Sequence, residues 1–219
     1  MDRQIRSVGV FQSETRSKRE QILDAATRVF LQYGYEGASM DQVAVESGAA
    51  RRTLYNQFES KEALFEAMIA RIWASFPVFD ITQDEESLQD PKIGLTRLGR
   101  AISDFWIPGE AVAFLRMVIA EGLRSPGLTR MFFEKGKTPA MNAVAEYLRA
   151  LSKRNLVNIK NTKLAARQFI GLIDEPLLWI RVIGIEETFT QRERSEIVNN
   201  AVDMFLGFYE CRLTKGKPK

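Results

Sequence analysis

Apolar residues recur along most of the chain at intervals of three and four positions, which is the spacing of one face of an α-helix. No segment shows the sustained alternation of apolar and polar residues that is typical of a half-buried β-strand. The first helix carries its apolar stripe at Ile22, Ala25, Ala26, Val29, Phe30 and Tyr33. Ser17 and Glu20 have the spacing of a capping box at its start, and Gly34 is expected to end it in the left-handed conformation. The pattern therefore predicts an all-α protein.

Nine further helices are predicted from the same signals. Their expected bounds are residues 39–48, 50–58, 60–76, 92–107, 109–124, 126–135, 139–155, 162–184 and 191–212. Ser39 with Gln42 forms a second capping box, and Thr190 with Glu193 forms a third. The acidic, proline-flanked stretch 77–91 is predicted to be a loop.

The two short helices on either side of Gly48 form a predicted helix-turn-helix, in which the second helix can enter the major groove of DNA. The outward-facing side chains of that second helix are Arg51, Arg52, Thr53, Tyr55, Asn56 and Gln57. Arginine can pair bidentately with guanine, and asparagine or glutamine with adenine. Thr53, Tyr55 and Lys61 suit phosphate or thymine-methyl contacts. The alternative is a polar helix face that is merely solvated, but no acidic residue interrupts this face before Glu59.

The residues around this helix resemble the DNA-binding domain of TetR/AcrR-type one-component repressors. The resemblance rests on Tyr55, Phe58, Ser60, Lys61, Glu62 and Leu64, and upstream on residues 22–26, Phe30, Gly34, Tyr35, Ala38, Ser39 and Ala44. It spans residues 18–72. Residues 133–136 and 165–172 also resemble the regulatory domain of AefR-like members.

The resemblance implies a role for each matched polar residue. Ser39 and Gln42 would touch the DNA backbone at the start of the second helix, and Lys61 would hold a phosphate. Base edges would be approached by Arg51, Arg52 and Thr53, and bases or phosphates by Tyr55, Asn56 and Gln57. The sequence departs from the family's usual Gly-Val-Ser turn, because Ala50 replaces the serine and removes a helix cap that stabilises by about 1 kcal/mol.

Composition excludes most catalytic chemistry. The chain has no histidine and one cysteine, so histidine-dependent nucleophile systems, histidine zinc sites and intramolecular disulfides are impossible. No glycine-rich phosphate loop is present, and neither a cofactor nor a metal is predicted. The net charge of +3 carries no evidence for DNA binding, because residues 1–65 hold nine basic and nine acidic residues. The sequence is interpreted as a regulator and not an enzyme.

Membrane association is not expected either. No apolar run approaches the roughly 18 residues that a membrane-spanning helix needs, and the first residues lack the apolar stretch of a signal peptide. With its one thiol, Cys211, the protein is predicted to be cytoplasmic.

The family resemblance further implies a small-molecule pocket among the middle helices. Its candidate lining residues are Trp106, Phe114, Met117, Met141, Phe169, Ile173, Asp174 and Trp179. Ordinary core packing remains the alternative for each apolar residue of this set. Pockets for small molecules are mostly apolar and aromatic, which these side chains provide.

Asp174 and Glu175 are unusual because they interrupt an apolar helix just before Pro176, which is expected to kink it. Pairing with Arg181, Arg167 or freed backbone is one interpretation of the carboxylates. A polar contact in a dimer interface and recognition of a cationic ligand are the others. A hydrolytic carboxylate pair is disfavoured, since adjacent residues on a helix point about 100° apart.

The last two helices are predicted to form a homodimer interface. Ile197, Ala201, Met204, Phe205, Phe208 and Arg212 form a helical stripe, and residues 171–184 are apolar nearly all round. Burial against a second copy fits these faces, although an internal core helix is the alternative. Two recognition helices in a dimer must lie about 34 to 36 Å apart to read successive major grooves.

These features predict three regions: a flexible arm over residues 1–15, a three-helix helix-turn-helix domain over 16–65, and a larger helical ligand-binding and dimerisation domain over 66–219. The predicted function is sequence-specific, DNA-binding transcriptional regulation by a repressor. A small apolar effector would release it from a near-palindromic double-stranded operator. The alternative is a helical adaptor whose polar third helix binds a protein partner.

Overall fold

The computed structural model describes residues 17–209, and this range is built from α-helices, two π-helical turns and connecting loops, without a β-strand. The predicted arm over residues 1–15, Cys211 and Arg212 lie outside the described residues. The first helices are α1 (Lys18–Gly37), α2 (Met40–Ser47), α3 (Arg51–Gln57), α4 (Lys61–Ala74), α5 (Val78–Gln83), α6 (Glu85–Gln89), α7 (Pro91–Trp106), α8 (Gly109–Glu121) and α9 (Pro126–Phe132). A π turn (Phe133–Lys137), α10 (Thr138–Lys153), α11 (Thr162–Asp174), a second π turn (Glu175–Trp179), α12 (Ile180–Val182) and α13 (Gln191–Tyr209) follow.

The side-chain caps anticipated at three helix starts are present. Ser17 Oγ accepts a hydrogen bond from the Glu20 amide at 3.2 Å, and Ser39 and Gln42 form the reciprocal capping box. Thr190 and Glu193 exchange the same pair of bonds at the start of α13. Each cap satisfies amide groups that the first helical turn leaves without partners.

Gly34 breaks α1 in a conformation different from the one expected. Its φ of 72° is positive, but its ψ of 176° lies outside the left-handed helical region. This combination is accessible essentially only to glycine. The requirement for glycine therefore holds, and the chain forms one more short turn to Gly37 before α1 ends.

The prediction of a loop over residues 77–91 is wrong, because the segment forms the short helices α5 and α6. Asp84 caps α6 by accepting a hydrogen bond from the Ser87 amide at 2.9 Å. Its carboxylate also pairs with Arg97 of α7 at 2.6 Å, and Arg97 pairs with Glu86 as well. The acidic side chains thus act as a cap and as ion-pair partners of a neighbouring helix, which sequence spacing alone does not reveal.

Two predicted long helices are interrupted by π turns. The helix expected over 162–184 ends as a regular helix at Asp174 and widens into a π turn around Pro176, which accommodates the missing amide of the proline. The helix expected over 126–135 widens at Phe133, where the indole of Trp73 packs against Gly136. A Cβ at position 136 would lie 2.0 Å from the indole nitrogen, so only glycine fits there.

The interior divides into two apolar clusters. One is formed by α1 to α4 together with residues of α8 and α9, including Phe114 and Phe132. The other joins α5, α7, α10, α11 and α13 around Phe169. Trp73 and Ile72 at the end of α4 pack against both clusters. The predicted three-helix unit consequently does not form a separate core but shares one with α8 and α9.

Candidate DNA-binding surface and effector cavity

Packing of α2 against α3 fixes which face of α3 is exposed. Gly48 adopts a left-handed turn with φ 58° and ψ 25° between the two helices. Val43, Ala44 and Leu54 are buried at their contact. Because Leu54 is the buried residue of α3, the remaining side chains of this short helix are directed away from the core.

The six residues predicted to read DNA form one surface on α3. Arg51, Arg52, Tyr55, Asn56 and Gln57 are exposed, and Thr53 is half-buried. Arg51 is paired with Asp41 of α2, with 2.9 Å between Nε and Oδ1, and its guanidinium lies 5.9 Å from the centre of the Tyr55 ring. Asp41 therefore occupies the Nε of Arg51 in this arrangement. Ala50 provides no side-chain cap, as the sequence predicted.

Ser39, Gln42 and Lys61 lie beside this surface but are engaged within the chain. Gln42 Oε1 accepts hydrogen bonds from the Ser39 amide at 2.7 Å and from its hydroxyl at 2.9 Å. The Lys61 ammonium donates to the backbone carbonyls of Tyr35 at 2.9 Å and Ala38 at 3.3 Å. In this arrangement Lys61 holds the corner between α1 and α2.

A small cavity lies among α4, α7, α10 and α11. Its lining residues are Trp73, Phe76, Ile102, Phe105, Trp106, Lys137, Ala140, Met141, Ile170 and Asp174. Three of the eight residues predicted to bind a ligand, Trp106, Met141 and Asp174, are brought together here. At about 40 Å³ the cavity has room for only a few water molecules.

The other five predicted ligand residues lie elsewhere. Phe114 and Met117 belong to the cluster that contains the helix-turn-helix, and Phe114 lies 5.8 Å from Phe65 of α4 between ring centres. Phe169 and Ile173 are fully buried among core helices. Trp179 is half exposed at the end of the second π turn.

Asp174 is the buried polar group of the cavity. Its Oδ1 accepts a hydrogen bond of 2.9 Å from the indole nitrogen of Trp106. Burial raises the pKa of Asp174 to about 6, against the smaller lowering effects of Lys137 and of the Trp106 hydrogen bond. The expected partner Arg181 is not bonded to Asp174 but donates instead to the backbone carbonyls of Trp106 and Ile107. The pairing of Asp174 with Arg181 is therefore wrong, because the Trp106 indole is its partner instead.

An apolar groove runs along the outer faces of α11 and α13. Leu172, Pro176, Met204 and Phe208 are among its lining residues. Met204 is 63% exposed and Phe208 is 79% exposed. Side chains of this size are seldom grouped on a monomer surface without a partner.

Two family models together match most of the chain. Residues 22–68 match the model of bacterial regulatory proteins of the tetR family, and residues 93–211 match the C-terminal domain of AefR-like transcriptional repressors. The second match alone covers more than half of the chain. The chain belongs to the TetR family. It is a DNA-binding transcriptional regulator, and the proteins it resembles are regulators and not enzymes.

Three relatives illustrate the extent of the similarity. The transcriptional repressor NicS of Pseudomonas putida is 32% identical over 108 residues, which is 48% of this chain and 49% of NicS. The transcriptional regulator BetI of Yersinia pestis is 25% identical over 89% of this chain and 96% of BetI. The solved structure of the flavonoid-responsive regulator FrrA is 27% identical, with a TM-score of 0.71 over 89% of this chain and 98% of FrrA.

In this TetR-family chain, sequence reasoning missed the contacts that anchor the helix-turn-helix. Lys18 donates to the carbonyl of Gly48 at 3.4 Å, and Arg28 pairs with Glu46 at 2.7 Å. Glu121 at the end of α8 accepts hydrogen bonds from the amide of Tyr35 at 2.7 Å and from that of Glu36 at 3.3 Å. These partners are 18 to 86 positions apart, and no local pattern marks them.

Trp73 belongs to the helix predicted over residues 60–76, but the sequence did not assign it to the cavity. Its indole N–H is buried and has no hydrogen-bond acceptor in the described part of the chain.

No helix within residues 17–209 is long and apolar enough to cross a membrane.

Proposed function

We propose that this TetR-family regulator is a cytoplasmic repressor that binds a near-palindromic DNA operator as a homodimer and is released by a small, largely apolar effector. The observation that carries the proposal is the exposed surface of α3, where two arginines, an asparagine and a glutamine occur without an acidic residue. These side chains are the ones that read guanine and adenine in the major groove.

The contacts around α3 suggest how each predicted DNA-binding residue acts. Arg51, Arg52 and Thr53 approach base edges from the first turn of α3, and Arg51 leaves Asp41 to do so. On the same surface, Tyr55, Asn56 and Gln57 contact bases or phosphates. Ser39 and Gln42 fix the start of α2 against the DNA backbone. Lys61 contributes a positive charge while it holds the corner between α1 and α2.

The groove on α11 and α13 supports the homodimer. A second copy would cover Met204 and Phe208 and bury the apolar face that a single chain leaves exposed. A two-fold axis through this interface presents two copies of α3 to the DNA, and their separation then sets the distance between the half-sites of the operator.

The cavity supports an effector site that is closed in this arrangement. Ligand sites usually measure about 300 to 1,000 Å³, far more than the present 40 Å³. A neighbouring hollow of about 320 Å³ shares Trp73, Phe76 and Ala140 with the cavity. Displacement of the two aromatic side chains would join the two spaces. A ligand that requires this displacement binds the open arrangement selectively, which is the condition for it to shift the equilibrium.

The polar groups of the cavity define what the effector must carry. Asp174 can accept a hydrogen bond at its second oxygen, and Trp73 and Lys137 can donate one. The remaining walls are apolar or aromatic. A flat aromatic molecule with hydroxyl groups satisfies both requirements. FrrA, whose solved structure resembles this chain, is described as flavonoid-responsive, so flavonoids are the first probes to use.

The helix α4 provides the route from the cavity to the DNA-binding surface. Trp73 at its end lines the cavity and packs against Gly136. Leu64 and Phe65 at its start lie in the same apolar cluster as Leu54 of α3. A displaced Trp73 would move α4 and with it the position of α3.

DNA binding is tested by titrating the protein against double-stranded fragments from upstream of its own gene, and against selected random sequences, at several salt concentrations. Specific binding with a Kd of about 10 nM or below, weakened by salt, is expected. The Arg51→Ala/Arg52→Ala variant should lose at least about 100-fold in affinity. Its matched control is Arg124→Ala/Arg130→Ala, which removes the same charge elsewhere. Equal weak binding by all three proteins would favour the adaptor instead.

The effector site is tested by releasing the DNA complex with the flavonoid naringenin. Trp106→Phe changes a wall of the cavity and removes the donor to Asp174, whereas Trp179→Phe makes the same change outside it. We expect Trp106→Phe to raise the flavonoid concentration needed for release about tenfold, with unchanged affinity for DNA. If both variants respond like the wild type, the effector does not bind in this cavity.

A further inference from the structure

A second, polar cleft lies between α7 and the first turns of α13. It measures about 260 Å³. Its lining residues are Arg100, Ser103, Asp104, Gln191, Arg194, Ser195 and Val198. Valine is the one apolar residue among these seven. The cleft is therefore suited to a polar ligand and unlike the aromatic effector cavity.

The buried hydroxyl of Ser103 is the first evidence that the cleft binds a ligand. This residue is 2% exposed, and its hydroxyl makes no hydrogen bond in the described part of the chain. Buried hydroxyl groups almost always have a partner, because removal from water without one is unfavourable. Ser103 is one of the residues that line the cleft, so a ligand bound there would complete its hydrogen bonding.

The charges around the cleft decide which ligand fits. Arg194 is paired with Asp104, so these two charges neutralise each other, while the Nε of Arg194 remains buried without an acceptor. Arg100 is exposed and forms no ion pair with another described residue. The cleft consequently has one unpaired positive charge and a surplus of hydrogen-bond donors.

We propose that this cleft binds a small oxyanion, a phosphate or carboxylate group, between Arg100 and Ser103. The guanidinium of Arg100 provides a planar pair of donors, which matches either group. The Ser103 hydroxyl donates the third hydrogen bond, and the side chains of Gln191 and Ser195 lie on the opposite wall. A bound anion would join α7 to α13. This site is independent of the effector cavity and of DNA binding.

The test is the thermal unfolding temperature of the full chain in chloride, inorganic phosphate and acetate at equal ionic strength. At about ten times Kd, the anion that binds should raise Tm by about 3 to 6 °C. A rise with phosphate assigns the site to phosphate groups, and a rise with acetate assigns it to carboxylates. The absence of a rise with either anion overturns the proposal.

Two variants link the effect to the cleft. Arg100→Gln removes the unpaired charge and should abolish the rise in Tm, whereas Arg130→Gln, an exposed arginine of α9, should keep it in full. Ser103→Ala should unfold in chloride at a Tm no lower than the wild type, because the hydroxyl has no partner there, and should show less than half of the anion effect. A rise that persists in Arg100→Gln would show that the anion binds elsewhere and would overturn the assignment.

Discussion

At the scale of single residues, Asp174 shows where sequence reasoning reaches its limit. The sequence marks it as unusual, because a carboxylate just before a proline interrupts an apolar helix. Its position favours a nearby arginine as the partner, but the Trp106 indole that donates to it is 68 positions away. The sequence could therefore identify Asp174 as unusual, but its hydrogen bond with Trp106 depends on how α7 packs on α11.

Burial of Asp174 predicts a specific pH dependence of stability. Its pKa is raised from 3.8 to about 6 in the folded chain, so the folded state binds more protons than the unfolded state between these values. The free energy of unfolding therefore loses a contribution as pH rises from about 4 to 6, and the loss persists above pH 6. Asp174→Asn keeps an acceptor for Trp106 and should be more stable than the wild type at pH 8 by about 1 to 3 kcal/mol.

The measurement is urea unfolding of both proteins at pH 4.5 and pH 8. The stability difference between them should be small at pH 4.5 and should grow toward pH 8. Asp80→Asn, an exposed aspartate of α5, serves as the control and should change neither value by more than about 0.5 kcal/mol. A difference that does not depend on pH would mean that Asp174 titrates normally.

At the scale of elements, the parts that the sequence predicted are those determined by local chemistry. The capping boxes at Ser39 and Thr190 depend on residues three positions apart, and both are present. The interruption at Pro176, where the second π turn lies, was expected, whereas the helices α5 and α6 and the first π turn were not predicted. Asp84 stabilises α6 partly through Arg97, and the first π turn fits Gly136 against Trp73. These features arise from contacts between elements and leave no periodic signal.

The junction between α8 and α1 leads to a second prediction. Gly34 turns the chain so that the next two amides meet the carboxylate of Glu121, and a Cβ at position 34 would lie 1.8 Å from its Oε1. Hydrogen bonds to a charged acceptor stabilise by about 1.5 to 3 kcal/mol when buried, and somewhat less at this half-exposed site. Glu121→Ala should therefore destabilise the chain by about 1 to 2 kcal/mol and loosen the helix-turn-helix from α8.

Loosening this junction should affect regulation more than folding. We expect Glu121→Ala to bind the operator within about threefold of the wild type but to need more effector for release, since one contact between the effector domain and α1 is lost. Glu110→Ala, at the exposed start of the same helix, is the matched control. An unchanged dependence of DNA release on effector concentration in Glu121→Ala would assign the transmission to α4 alone.

At the scale of the whole molecule, the two apolar clusters explain why the domain boundary predicted near residue 65 is not a structural break. Phe114 of α8 and Phe132 of α9 pack among the first four helices, so the DNA-binding helices share a core with α8 and α9. Sequence motifs could identify the first of these regions but could not reveal that α8 and α9 complete its core. The same reasoning explains why Phe114 and Met117 were predicted for the cavity and instead lie beside the DNA-binding helices.

The groove on α11 and α13 yields the last prediction. Phe208 is 79% exposed, so Phe208→Glu should leave the fold of each chain intact while it places a charge on the apolar face that a second copy would cover. Two such charges would meet near the two-fold axis. The variant is expected to sediment as a monomer at micromolar concentration, where the proposal predicts a dimer for the wild type. Leu123→Glu, at a residue 94% exposed outside the groove, should remain a dimer.

The same variants connect assembly with DNA binding. A monomer presents one copy of α3, so Phe208→Glu should lose at least about 100-fold in affinity for a two-half-site operator, because the second half-site no longer binds within the same complex. A single half-site fragment should bind both variants equally. If Phe208→Glu sediments as a dimer and binds the operator like Leu123→Glu, the dimer forms through another face. The spacing of the operator half-sites would then have to be derived from that face instead.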